Sequence, residues 1–180
     1  MTIFNMNISE RNLSKGVGMS RSTLRKALKL DDSIKISSLK RLAHYFNQTL
    51  MVLTHPINHT PESTTVAISF HIMSDGFDSW KIHLMNMVDE FRKTKDARIL
   101  LLPPDRNCDD KIRTLIAATV LELCLETKMP PPHWAQNHKP LSQPWFVAGV
   151  EALKASALLE SPLSFRSKNI FVHENFLERA

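Results

Sequence analysis

The chain has 180 residues, 43% of them hydrophobic, with 23 Lys/Arg against 18 Asp/Glu and a net charge of +5. That composition supports a folded core in one ordinary domain or two small ones and excludes wholesale disorder, while two cysteines (Cys108 and Cys124) suit a reduced, cytoplasmic protein better than a disulfide or metal scaffold. Met1–Ile8 is too short and too weakly basic for a signal peptide, and no apolar run reaches the length of a membrane span, so no membrane partner is expected.

In chain order, Ser9 caps a first helix with Leu13 and Val17 four apart on its inner face. Gly18 and Met19 make a tight turn. Ser20 caps a second helix whose inner residues are Leu24 and Leu28. Asp31-Asp32-Ser33 interrupts, and Ser37 or Ser38 caps a third helix with Leu39, Leu42, Ala43 and Phe46 at helical spacing. Beyond Asn47 the period changes from 3.6 to 2. Thr49–Thr54 and residues 64–72 ("TTVAISFHI") read as a two-stranded antiparallel pair around a loop.

Asp78 or Ser79 then caps an amphipathic helix striped by Trp80, Leu84, Met87, Val88 and Phe91. Residues 98–102 ("RILLL") suggest another strand, stopped by Pro103-Pro104. Asp109/Asp110 open a helix running to about Lys128. It is apolar on most of its circumference and is therefore expected to be the most buried. Pro130–Pro132 ends it. An irregular, Pro-rich stretch carries Trp134, Trp145 and Phe146. A helix near 149–159 and a tail with a short strand at Ile170–Val172 complete the chain. The expected fold is α+β, mainly α, with an N-terminal unit over 1–48 and an α+β unit over 49–180.

The charge is unevenly placed. Residues 1–50 hold nine Lys/Arg and three acids, a net of +6, and the remaining 130 residues have a net of −1. Excess positive charge in one segment favours a polyanionic partner for that segment. A helix start at Arg21 turns Arg21, Ser22, Arg25 and Lys26 outward while Leu24 faces inward. Ser20 and the open amides of the first turn suit a phosphate. A solvated basic face on a purely structural helix pair is the alternative.

The stretch "ERNLSKGVGMSRSTLRKAL…ISSLKRLAHYFNQTL" resembles a lambda-repressor-like (XRE-type) helix-turn-helix domain. Leu13, Gly18, Ser20, Leu24, Ser38-Leu39, Leu42-Ala43 and Phe46 fall on that family's pattern. The resemblance implies DNA reading by Ser20, Arg21, Ser22 and Lys26, with Arg25 nearer the backbone, the whole DNA contact spanning Ser20–Lys29. Two features depart from the family. Only Met1–Ile8 stand where it has a full helix, and Gly16 weakens the first helix by about 1 kcal/mol relative to Ala.

The segments "SDGFDSWKIHLMNMVDEFRKTKDARILLLPP", "MPPPHW" and "PWFVAGVEALKASALLESPLSFRSKNIFVHENFLERA" resemble the C-terminal part of bacterial XRE-type regulators encoded beside nucleotidyltransferase-like toxin genes. The resemblance implies an autorepressing antitoxin, dimeric on its operator, that neutralises its toxin by direct binding. Trp145, Phe146, Phe165, Arg166 and Phe171 combine aromatics with a guanidinium in irregular backbone, which suits a partner interface; packing of loops onto the core is the equal alternative.

Candidates for catalysis are poor. The eight histidines are scattered, and no HExxH, CxxC, GxSxG or phosphate-cradling glycine loop occurs. Asp89-Glu90 and Asp109-Asp110 are helical neighbours that point about 100° apart and cannot converge on one proton or metal. No catalytic residue, metal or cofactor is assigned. An interaction-only antitoxin without DNA binding, and a ligand-sensing regulator using residues 64–180, are the rival readings.

Overall fold

Ser9 opens the first helix, α1 (Glu10–Val17), with its hydroxyl accepting from the Asn12 amide at 3.4 Å. The computed structural model describes residues 8–50, 52 and 61–179, and the chain divides into two units, 1–54 and 55–180.

In the first unit α1 is followed by α2 (Arg21–Leu28) and α3 (Ile36–Tyr45). Leu13, Val17, Met19, Leu24, Ala27 and Leu42 form its core, with Leu28, Ile34, Leu39 and Phe46 packed at the margin. α3 starts earlier than the serines suggest. Lys35 is its N-cap, without a side-chain bond, and Ser38 is buried within the helix. Gly16 has a local reason: the Tyr45 ring lies over it, and a β-carbon there would sit 2.5 Å from Tyr45 Cε2. Of the strand expected at 49–54, Thr49, Leu50 and Val52 are irregular, and residues 51, 53 and 54 lie outside the described residues.

The second unit corrects the other expected strand. Residues 65–75 are a helix, α4 (Thr65–Asp75), capped by Thr64. Its inner face is Thr65, Ile68, Ser69 and Ile72, spaced i, i+3, i+4, i+7. Two of these four are hydroxyls, so the helical stripe is invisible to a hydrophobicity count. Thr65 Oγ1 donates to the Leu102 carbonyl, with the Ile99 carbonyl at 3.3 Å, and Ser69 Oγ accepts from the Asp105 amide at 2.9 Å. The Thr65 bonds reach the segment "RILLL", which is a 3-10 turn at Ala97–Ile99 followed by bends rather than a strand, and the Ser69 bond reaches Asp105 just beyond it.

α5 (Trp80–Thr94) and α6 (Asp110–Thr127) match expectation. α6 is the central element, burying ten residues that include Ile112, Leu115, Ile116, Val120 and Leu123. It ends before the prolines, where Lys128 turns left-handed (φ 56°) and the Met129 amide reaches back to the Cys124 carbonyl. α7 (His133–Gln136), β1 (Trp145–Phe146), α8 (Lys154–Glu160), α9 (Leu163–Arg166) and β2 (Ile170–Phe171) follow. The sheet is parallel, not antiparallel. Trp145 pairs with Ile170 and Phe146 with Phe171, and the intervening helical crossover allows that direction. The fold among the described residues is mainly helical with this one short sheet. Among the described residues no helix is long and apolar enough to cross a membrane.

Candidate nucleic-acid interface

The turn between α1 and α2 is built by its backbone. Gly18 adopts φ 68°, a left-handed conformation that glycine takes most readily. Its amide bonds the Lys15 carbonyl at 3.2 Å, and the Met19 amide bonds the Ser14 carbonyl at 3.0 Å. This pair of bonds closes α1 and drives Met19 into the core. Ser20 then caps α2, its Oγ accepting from the Thr23 amide at 3.1 Å and lying 2.9 Å from Ser22 Oγ. By helix geometry the Arg21 and Ser22 amides remain unused at the helix start.

Leu24 and Ala27 anchor α2 from beneath, so rotation of the helix is fixed by the core. Ser20, Arg21, Ser22, Arg25, Lys26 and Lys29 are all exposed. Two of the cations are loosely held within the unit. Arg25 Nε donates to Glu10 Oε2 at 3.0 Å, and Lys26 Nζ donates to Ser33 Oγ at 3.0 Å. Asp31, beside them, accepts from Ser33, and these bonds hold its carboxyl below the usual carboxylate range, with Lys26 and Lys29 adding to the effect. Lys29 caps the C-terminal end of α2, about 12 Å along the axis from Arg21 at 1.5 Å per residue. A second basic strip, Lys40, Arg41 and His44, runs along the exposed side of α3.

The residues expected to bind a protein partner divide. Phe146 stacks on Phe171 with centroids 4.9 Å apart, across the two-stranded sheet, and Lys154 Nζ lies 5.4 Å above the Phe146 ring. Trp145 is half-buried against Trp80, with Lys111 Nζ 5.7 Å from its ring centre. Arg166 is exposed on α9. Phe165 is 1% exposed and packs edge-on against Phe176, so it belongs to the core.

Other polar groups come together in the second unit. His138 Nε2 lies 3.0 Å from Thr114 Oγ1. Lys168, nearly buried, donates to the Gln136 and His138 carbonyls. Burial lowers the pKa of both His138 and Lys168. Both cysteines are buried, and burial raises their thiol pKa values. His71 and His83 stack at 5.3 Å, and His83 Nε2 bonds Asp75 Oδ2 at 2.9 Å. Among the described residues no group of three or more His, Cys, Asp or Glu could hold a metal ion. Sequence reasoning missed the His138–Thr114 and His71–His83 contacts because each joins distant elements. No protein-family model, curated protein or solved structure matches the chain.

Proposed function

We propose that the chain is a DNA-binding transcriptional regulator that represses its own operon, acting as the antitoxin of a bacterial toxin–antitoxin pair. The observation that carries this reading is the polarity of α2. Leu24 and Ala27 lock one side into the core, while Arg21, Ser22, Arg25, Lys26 and Lys29 stand exposed on a unit with a net charge of +6. The first turn of α2 enters the major groove. Arg21 offers a guanidinium fork to a guanine edge, and Ser22 and the open amides hold the adjacent phosphate. Arg25 exchanges Glu10 for a backbone phosphate, and Lys29 follows the strand further along.

The second unit binds the toxin, a nucleotidyltransferase-like protein, through the sheet face of Phe146 and Phe171 and the exposed Arg166 of α9, the helix packed against β2, while Trp145 supports the sheet from its opposite face. The Arg166 guanidinium can pair with carboxylates that such an enzyme uses to hold its metal. One observation favours a second reading, an interaction-only antitoxin: Arg25 and Lys26 are already occupied within the chain. A mobility-shift assay on the DNA upstream of the gene, against scrambled DNA of equal length, separates the two. Specific retention supports the repressor. Absence of retention, together with co-purification of the neighbouring gene's product, supports the interaction-only reading.

A further inference from the structure

α8 is inverted relative to an ordinary surface helix. Its single buried residue is Ala157. Leu159 is 83% exposed, and Leu158, Val150, Leu153 and Leu163 on and around the helix are exposed as well. A solvated helix turns its charged side outward. Here the nearby charges are occupied instead: Glu151 pairs with Lys154 at 2.6 Å, and Glu160 with His173 Nδ1 at 2.9 Å. A helix of seven residues has little stability of its own, and one buried alanine adds little to it.

We propose that this outer face of α8 is the surface through which two copies of the chain associate. The five apolar residues expose roughly 500 Å² together, a patch of the size that marks interaction sites. A stable interface needs about 800 Å² per partner, and a homodimer interface is about 65% apolar, so the patch supplies the apolar part of one such interface. The composition favours a second copy over a transiently bound, different protein. Interfaces between different, separable proteins are no more apolar than ordinary surface, whereas homodimer interfaces are. At a two-fold axis a residue meets its own counterpart, so a charge there would face a like charge. Leu158, Leu159 and Leu163 put none there. This rests on the repressor reading above, whose family resemblance implies a dimer without saying where it forms, and its readout is mass rather than DNA binding.

Sedimentation equilibrium of the full chain tests it. The expected result is a dimer at micromolar concentration that persists at high salt, because apolar contact is not screened. Leu159→Glu and Leu163→Glu each weaken association roughly 100-fold, as central interface residues do. Ile82→Glu, at another exposed apolar position, on α5, leaves the dimer intact. Circular dichroism checks that each variant folds. Should Leu159→Glu not fold, Leu159→Ala is used, with about a tenfold loss expected. A monomeric parent overturns the proposal, as does a folded Leu159→Ala dimer of parental strength. A chain that is monomeric alone and gains mass only with its neighbour's product also overturns it. A dimer lost in Leu159→Glu, in a chain that ignores operator DNA, supports the interface and counts against the reader.

Discussion

Arg25 Nε donates to Glu10 Oε2 at 3.0 Å, tying the exposed face of α2 to the first turn of α1. Both side chains are largely exposed, and such a pair contributes about 0–1 kcal/mol. A phosphate oxygen competes with the carboxylate for the same guanidinium. Glu10→Ala therefore raises DNA affinity by several-fold at low salt, and thermal melts show a loss of no more than about 1 kcal/mol. Unchanged affinity would mean that Arg25 does not face the DNA backbone.

Thr65 joins α4 to the turn at 97–102 through the Leu102 and Ile99 carbonyls. Thr65→Val keeps the shape and leaves the Ile99 and Leu102 carbonyls without that donor. Denaturant melts of this variant are expected to show a loss of about 1–3 kcal/mol. If residues 65–75 instead needed β-branched side chains as a strand, Val at this position would be neutral or stabilising.

That position also marks the limit of what the sequence reveals. The caps Ser9 and Ser20, Gly18, and the stripes of α5 and α6 are local signals, and local reading places those four helices. α4 escapes because Val66, Ile68, Phe70 and Ile72 imitate a strand, while the residues that define its inner face include Thr65 and Ser69. Their burial depends on backbone groups more than thirty residues away, a carbonyl for Thr65 and an amide for Ser69. The parallel pairing of Trp145 with Ile170 is equally non-local. At the candidate site, the outward placement of Arg21, Ser22, Arg25 and Lys26 was legible from the position of Leu24. The Glu10 and Ser33 contacts were not, because nothing in α2 itself encodes them.

His138 gives the second unit a pH dependence. Thr114 Oγ1 donates to the Asp110 carbonyl at 2.7 Å, so the His138 Nε2 facing it is the donor of their contact. Burial first, then the charges of Arg113 and Lys168, lower its pKa below 6.5, with Asp110 opposing. Below pH 6.5 the unfolded chain takes up a proton that the folded chain refuses. Stability is thus complete above that pH and declines as pH falls through and below it. Urea melts across this range are expected to show the decline in the parent. His138→Gln, which keeps a donor for Thr114, flattens it. An equal slope in both proteins would assign the dependence to another group.

The two hydrophobic cores share no residue. A fragment of residues 61–180 is expected to melt cooperatively and to retain toxin binding while losing DNA binding. Residues 1–54 alone are near the size below which a single core is marginal. A molten 61–180 fragment would show that the second core needs the first.

The most direct test of the central claim is the affinity of the parent and of Arg21→Ala for the DNA upstream of the gene, measured by fluorescence anisotropy over a salt series. The account predicts that Arg21→Ala loses about 1–3 kcal/mol on this DNA and far less on scrambled DNA, because it reads a base. Lys29→Ala, a phosphate contact, lowers the salt slope by about one on both. Equal binding by the parent and Arg21→Ala on the upstream sequence would contradict the account and leave α2 as a solvated basic helix.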